Sequence, residues 1–320
     1  MVKLDKKDRD ILHQLDCNAR QTNSEISKKV RLSKKGVEYR ITQLGKKGVI
    51  IGSYPVVDFL KLGYSYNRAF IRLQFLDDEL RKRIEDYVKQ DEGINWAVWF
   101  RGDYDLGLAF WTRTATQFKE RLLRLVTMFN DRINKVHPSQ VVRLDHFSYR
   151  AFHDKEVMIA SIREVLDVQD VDDLDKGILL ELNKDARLNS TQIAKDIGSN
   201  YKVVSYRIKR LKERGILLTS RAKIDHLQLG LIQFKVFIHH TFKDVRQVEQ
   251  LREFLTRIKQ TIYLVDHTES NFLDVELMVE SVEEFEEILR SISNTFGGFI
   301  KEFQHFTFGK TIKISYLPKD

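Results

Sequence analysis

The chain has 320 residues, of which 42% are apolar and 11% aromatic, so it can form two or more packed domains and is not a disordered chain. Its single cysteine excludes an intrachain disulfide framework, and no apolar run approaches the roughly 20 residues that a membrane span needs. Because the charged N-terminal segment has no apolar signal core, we expect a soluble, cytoplasmic protein. The net charge of +8 is a weak indication of a nucleic-acid partner.

The positive charge is concentrated near the start of the chain. Residues 1–52 carry 13 basic and 6 acidic side chains, whereas residues 171–219 carry 10 and 7, which gives net charges of +7 and +3. If both segments bind DNA, we expect the first to bind phosphate more strongly.

These two segments are related by an internal repeat with a constant offset of 167 residues. The repeated positions include Val37 and Val204, Tyr39 and Tyr206, Arg40 and Arg207, Ile41 and Ile208, and Leu44 and Leu211. Chance does not keep one register over such a length. The pattern therefore indicates a tandem duplication.

The first part of each repeat reads as three helices and a strand. In the first copy, residues 8–15 have helical apolar spacing, Ser24 is a candidate cap for a second helix, and residues 33–44 form a third. Residues 48–54 then read as a β wing. This order predicts a winged helix-turn-helix.

The third helix has a buried stripe and an opposite face that is basic, aromatic and polar, as suits the major groove of DNA. The alternative is a solvated face on an ordinary helix. Arg40 and Arg207 lie at the edge of the buried stripe, where we expect them to clamp phosphate unless they form internal salt bridges. The predicted DNA-contacting residues are Ser33, Lys34, Lys35, Glu38, Tyr39, Arg40 and Thr42 in the first copy and Lys202, Tyr206, Arg207, Lys209 and Arg210 in the second.

The second part of each repeat alternates strand and helix patterns in the order β-α-β-β-α-β, which predicts an α+β fold with a ferredoxin-like unit. We expect the two sheets to pack on each other through the faces that their helices leave open. Apolar spacing between the repeats suggests a linker helix. The predicted boundaries are 1–60 and 171–227 for the winged helices, 61–152 and 228–320 for the ferredoxin-like units, and 153–170 for the linker helix.

These motifs resemble the leucine-responsive regulatory protein (Lrp/AsnC) family. The resemblance rests on the opening Leu4-Asp5-x-x-Asp8-x-x-Ile11-Leu12-x-x-Leu15, on the third-helix pattern from Ser33 to Ile50, and on the turn Gly102-Asp103-Tyr104-Asp105. It covers nearly the whole chain twice, although members usually have about half this length. It therefore implies a covalent pseudo-dimer or homo-oligomer that binds double-stranded DNA.

The same resemblance implies a small-molecule effector, such as an amino acid, between paired sensor domains near the Gly102–Asp105 turn. The second repeat has Glu269-Ser270-Asn271-Phe272 at the equivalent position, without the glycine and the aspartates. We therefore expect at most one class of effector site per chain, formed by Gly102, Asp103, Tyr104 and Asp105.

We expect no cofactor, no metal site and no catalytic residue, because the nine histidines show no metal-ligand spacing. A rival hypothesis is a sirohaem decarboxylase, an enzyme class that resembles the family in fold and is sometimes fused. Only His267 and Asn271 faintly match the motif expected of that class. Another alternative is an interaction scaffold that has lost DNA binding.

Overall fold

The computed structural model describes residues 1–150, 152, 158–163, 167–241, 245–269 and 271–318. The elements of the first repeat are α1 (Lys6–Cys17), α2 (Asn23–Val30), α3 (Lys34–Lys46), β1 (Ile50–Val57), β2 (Ser65–Leu73), α4 (Asp78–Gln90), β3 (Ile94–Gly102), β4 (Leu106–Thr112), α5 (Ala115–Met128) and β5 (Ile133–Phe147). After β6 (Met158–Arg163), the second repeat contains α6 (Asp173–Lys184), α7 (Ser190–Asp196), α8 (Tyr201–Glu213), β7 (Leu217–Ile224), β8 (Ile232–His240), α9 (Val245–Arg257), β9 (Thr261–His267), β10 (Phe272–Val279), α10 (Val282–Phe296) and β11 (Ile300–Ile314). Within the described residues, two short 3-10 helices, Asn130–Arg132 and His226–Leu229, complete the order.

Local capping explains where the helices of the first winged helix begin. Asp5 caps α1, and Ser33 caps α3 by accepting a hydrogen bond from the backbone N–H of Gly36. The second helix begins one residue before Ser24 because Thr22 and Glu25 form a reciprocal capping box. The Ser24 cap was therefore a wrong prediction, although the predicted helix exists.

The wing strands of the two repeats pair with each other. Strands β1 and β7 form an antiparallel two-stranded ribbon, in which Tyr54 lies opposite Arg221 and Ser53 opposite Ala222. Each repeat contributes one strand to the ribbon, so the backbone N–H and C=O groups of each strand hydrogen-bond to the strand of the other repeat.

The ribbon also completes the apolar core of each winged helix with residues from the other repeat. Ala222 and Ile224 of β7 pack among α1, α2 and α3, while Val57 of β1 packs among α6, α7 and α8. Neither winged helix therefore has a complete core of its own.

The two ferredoxin-like sheets join into a closed ring of eight strands in the order β2-β4-β3-β11-β8-β10-β9-β5, and β5 returns to β2. The contacts between the sheets are the pairs β3–β11 and β5–β9. Strands β5 and β11 have 15 residues each, and each bonds to its own sheet with one part and to the other sheet with the rest.

The prediction that the sensor sheets pack on each other is confirmed within one chain. Phe70 from the first sheet and Phe237 from the second meet edge to face, with their ring centroids 4.8 Å apart. Phe100, Tyr104 and Phe306 lie in the same buried aromatic cluster. The helices cover the opposite faces, where separate apolar cores form.

The predicted linker helix is wrong for the described part of residues 153–170. Residues 158–163 form β6, which pairs antiparallel with the end of β5. Ala160 and Ile162 are buried, whereas Ile159, Ser161 and Arg163 between and after them are partly or fully exposed, so burial follows the two-residue period of a strand. Residues 153–157 and 164–166 of this prediction lie outside the described residues.

Candidate nucleic-acid interface

Helix α3 presents the predicted face to solvent. Val37 and Leu44 are buried against the first winged-helix core. The exposed positions are Ser33, Lys34, Lys35, Glu38, Tyr39 and Thr42. Tyr39 is 66% exposed, so its ring is available for contact on this face.

Helix α8 presents the equivalent face with different chemistry. Lys202, Tyr206, Lys209 and Arg210 are exposed, and the guanidinium of Arg210 lies 5.9 Å from the centre of the Tyr206 ring. Lys209 lies 3.5 Å from Glu213, which offsets part of its charge. The face of α8 therefore offers fewer uncompensated charges than its number of basic residues suggests.

The repeated arginines form the same ion pairs in both copies. Arg40 Nη1 lies 2.7 Å from carboxylate oxygens of Asp5 and Asp8 at the start of α1. Arg207 Nη1 lies 2.6 Å from Asp172 and 3.4 Å from Asp175 at the start of α6. These contacts are the internal salt bridges expected as the alternative to phosphate clamping, and they hold the third helix against the first. A phosphate contact by either arginine would have to compete with them.

A second pair of repeated arginines joins the two winged helices. Arg20 Nη1 donates to the carbonyl oxygens of Ala186 and Leu188, at 2.6 and 2.8 Å. Arg187 Nη1 donates in return to the carbonyl oxygen of Ala19 at 2.8 Å. The Ala-Arg dipeptide that recurs in both copies therefore belongs to the interface between the repeats.

The Gly102–Asp105 turn is tightly bound to neighbouring strands. The Asp103 carboxylate accepts the backbone N–H of His305, and the Asp105 carboxylate accepts that of Leu73, both at 2.8 Å. The Tyr104 hydroxyl lies 3.1 Å from His137 Nδ1, and burial raises the pKa of this phenol to about 12. Gly102 has a φ of +135°, which is unfavourable for other residues.

Sequence reasoning missed an ion cluster buried between the two sheets. Asp274 accepts hydrogen bonds from Arg68 at 2.9 Å and from Lys235 at 2.7 Å, and Lys235 also contacts Glu276 at 2.7 Å. His267 lies buried beside it, 3.2 Å from Asp274 and in contact with Ser139. The alternating polar residues on β2, β8 and β10 were the only signal for this cluster.

A cavity of about 500 Å³, which was also not predicted, lies between the ribbon and one end of the ring of strands. Its wall includes Tyr54, Arg68, Trp111, His146 and Lys223. None of residues 102–105 lines it, and neither do His267 and Asn271.

Two broader properties concern the described residues alone. No helix among them is long and apolar enough to cross a membrane. Within the same ranges, no group of three or more histidine, cysteine or carboxylate side chains is arranged to hold a metal ion.

A family model described as "Winged helix-turn-helix DNA-binding" matches residues 4–51 and 171–217. An uncharacterized HTH-type transcriptional regulator of Pyrococcus horikoshii is 30% identical over 128 residues, which are 39% of this chain and 78% of the relative. The regulator LrpA of the same organism is 26% identical over 141 residues, 43% of this chain and 96% of LrpA. Regulatory protein AsnC of Haemophilus influenzae is 24% identical over 122 residues, 38% of this chain and 81% of AsnC.

The whole chain is similar in fold to the crystal structure of the siroheme decarboxylase NirDL. The TM-score is 0.61, and the alignment covers 97% of this chain and 93% of NirDL with 15% identity. That likeness shows the tandem fold alone. The two winged-helix matches and the named relatives place this chain in the Lrp/AsnC family, with two copies of the family's unit in one polypeptide.

Proposed function

We propose that the chain is a sequence-specific DNA-binding transcriptional regulator that acts as a covalent pseudo-dimer. The observation that carries the proposal is the pair of exposed, basic and aromatic faces on α3 and α8, at equivalent positions of two winged helices. Lysines on these faces would neutralise phosphates and release counterions, and the other exposed side chains would read base edges.

The two half-sites recognised by one chain should differ. Lys34 and Thr42 of α3 are replaced by Tyr201 and Lys209 of α8, so the two faces offer different donors and acceptors. Selection from random duplex DNA should therefore enrich an asymmetric site. An interaction scaffold or an enzyme should enrich no sequence, and that outcome would reject the proposal.

The first winged helix should contribute more phosphate contacts than the second. Lys34→Ala with Lys35→Ala should flatten the plot of log affinity against log salt by up to about 0.9 per lost contact, or nearly two units. Lys202→Ala with Lys209→Ala should flatten it by less, because Glu213 lies 3.5 Å from Lys209.

Binding to the selected duplex would be measured by fluorescence anisotropy at several salt concentrations. The matched control is Lys119→Ala, which removes an exposed lysine from α5, outside both winged helices. Equal losses from the two double variants would contradict the asymmetry. Affinity that does not depend on salt would contradict DNA binding itself.

We also propose that an amino acid acts as effector near the Gly102–Asp105 turn. Its support is the family resemblance, together with the partly exposed Arg72, whose guanidinium donates to the Gly102 carbonyl and lies 3.6 Å from Asp105. Calorimetry with a panel of amino acids should find no more than one site per chain. Two equivalent sites, or affinity that is unchanged by Arg72→Gln, would contradict this location.

We propose a binding protein and not a decarboxylase. His267 and Asn271, the two residues that resemble the decarboxylase motif, support this choice. His267 is buried in the ion cluster, and the Asn271 carbonyl accepts the backbone N–H of His240. Loss of carbon dioxide from an incubated tetrapyrrole carboxylate would contradict the proposal.

A further inference from the structure

The cavity between the ribbon and the ring of strands has the size and the lining of a small-molecule site. Its volume of about 500 Å³ lies within the range typical of ligand pockets, and the mouths of β-barrels are a common place for them. The ribbon forms one side through Tyr54 and Lys223, and the strands form the other through Arg68, Trp111 and Tyr263.

Several buried polar atoms in this wall have no hydrogen-bond partner among the described residues. They are Arg68 Nε, Asn95 Oδ1, Trp111 Nε1 and both ring nitrogens of His146. These four residues are between 5% and 9% exposed. Buried polar groups are normally hydrogen-bonded, and leaving them unpaired costs stability, so a small rotation of these side chains toward the cavity would let a polar ligand pair them.

Most of these atoms are hydrogen-bond donors. The Arg68 Nε and Trp111 Nε1 groups can only donate. Burial lowers the pKa of His146 to about 3, so its neutral ring donates through one nitrogen and accepts through the other. Asn95 Oδ1 adds one acceptor. These atoms therefore comprise three donors and two acceptors, which suits a ligand with acceptor oxygens.

The charges of the wall favour an anion. Glu276 is paired with Lys235 at 2.7 Å, and Lys310 lies 2.9 Å from Glu85. The Asp225 carboxylate accepts the backbone N–H of Leu227 and keeps its negative charge, so the preference for an anion is local to Lys223. Lys223 is half-buried, and no carboxylate of the described residues lies within ion-pair distance of it. The ammonium of Lys223 is thus a wall charge that lacks a counter-ion.

Aromatic rings supply the remaining surface. The lining rings include those of Tyr54, Tyr66, Trp96, Trp111, Tyr263 and Tyr316. Tyr54 and Tyr316 stack with their centroids 4.0 Å apart, and Lys223 Nζ lies 5.6 Å from the centre of the Tyr316 ring. A flat apolar ligand could pack against these rings while its charged end reaches the ammonium.

We propose that this cavity binds a flat, ring-bearing carboxylate, with the carboxylate at Lys223 and the ring system against the tyrosine and tryptophan side chains. The site is separate from the recognition helices and from the Gly102–Asp105 turn, and its test involves no DNA. It therefore stands or falls independently of the proposed function.

The test compares three probes of equal shape on the full chain: naphthalene-2-carboxylate, naphthalene-2-carboxamide and 2-naphthylmethylammonium. Calorimetry should show that the carboxylate binds at least about tenfold more tightly than the amide, because the amide oxygen can still accept from Lys223 but lacks the negative charge that attracts the ammonium. The cationic probe should bind most weakly. Binding should also change the tryptophan fluorescence, since Trp96 and Trp111 line the cavity.

Variants locate the site. Lys223→Gln should lower the affinity for the carboxylate by about tenfold and change the affinity for the amide by no more than about twofold. Lys223→Arg should keep most of the affinity for the carboxylate. Trp111→Phe keeps an aromatic ring but removes the N–H donor, so it should also lower the affinity for the carboxylate. Lys119→Gln, which removes one positive charge from α5 outside the cavity, is the matched control.

Three results would overturn the proposal. These are no heat and no fluorescence change with the carboxylate at about 1 mM, equal affinity for carboxylate and amide, and unchanged affinity in Lys223→Gln. If circular dichroism shows that the Lys223→Gln variant does not fold, the comparison of the three probes on the unaltered chain decides whether the proposal holds.

Discussion

A buried ion pair between the two repeats offers a sharp test of how the winged helices depend on each other. Arg221 of β7 donates through Nε and Nη2 to Asp16 Oδ1 of α1, at 2.9 and 2.6 Å. Both side chains are fully buried. The second oxygen of Asp16 accepts the backbone N–H of Tyr149, and Arg221 also donates to the Phe147 carbonyl.

Arg221→Met should lower the free energy of unfolding by about 3–5 kcal/mol near pH 8, because it leaves a buried carboxylate without its counter-charge. Asp16→Leu combined with Arg221→Met should recover most of that loss, since two apolar side chains need no compensating charge. The control is Arg257→Met, which removes an exposed ion pair at 3.6 Å and should cost less than about 1 kcal/mol.

The loss of unfolding free energy caused by Arg221→Met should also depend on pH. Burial raises the pKa of Asp16, and Arg221 partly offsets this effect, so its removal raises that pKa further. A carboxyl with a raised folded-state pKa binds its proton more tightly when folded, so stability falls as pH rises through the window above the unfolded pKa. The variant should therefore be less destabilised at pH 5 than at pH 8.

Urea unfolding at both pH values, followed by circular dichroism, would measure these differences, provided that the denaturant slope stays constant. A loss below about 1 kcal/mol for Arg221→Met would refute the reasoning. So would a double variant no more stable than Arg221→Met alone, or a destabilisation that grows toward acid pH.

Two further predictions concern the joined repeats. The fragment 1–152 should dimerise in sedimentation equilibrium at micromolar concentration, because its winged-helix core lacks Ala222 and Ile224 and the edges of β3 and β5 lack partners; a folded monomer would contradict the pairing. Gly102→Ala should lower the unfolding free energy by about 1–3 kcal/mol, because a Cβ there would lie 2.6 Å from the His305 carbonyl oxygen at a φ of +135°. Gly298→Ala, where a Cβ meets nothing within 4 Å, should be nearly neutral, and equal effects at both glycines would argue against a special backbone at Gly102.

Local patterns were sufficient for the helices within each repeat, for the alternation of the strands and for the repeat itself. The spacing of Val37, Ile41 and Leu44 places an apolar stripe on α3, because helical periodicity depends on neighbouring residues alone. The exposure of Lys34, Lys35 and Tyr39 followed from the same periodicity. Strand alternation likewise separates Phe70 from Ile71 on the two faces of β2.

Partners that are distant in the chain could not be predicted in the same way. Alternation assigns residues to the two faces of a strand but does not name the neighbouring strand, so the pairings β1–β7, β3–β11 and β5–β9 are decided by tertiary structure. Strand β6 formed because an open edge of β5 was available to it, although the apolar spacing of its segment also suited a helix.

The same distinction between local pattern and tertiary structure applies to the candidate sites. The sequence by itself placed basic and aromatic side chains on two exposed helix faces, because burial of the opposite stripe leaves no other orientation. Only the tertiary structure decided that Arg40 bonds to Asp5 and Asp8, and that Arg68 and Lys223 line one cavity. Those contacts join residues far apart in the chain, and their distances depend on how the two repeats pack.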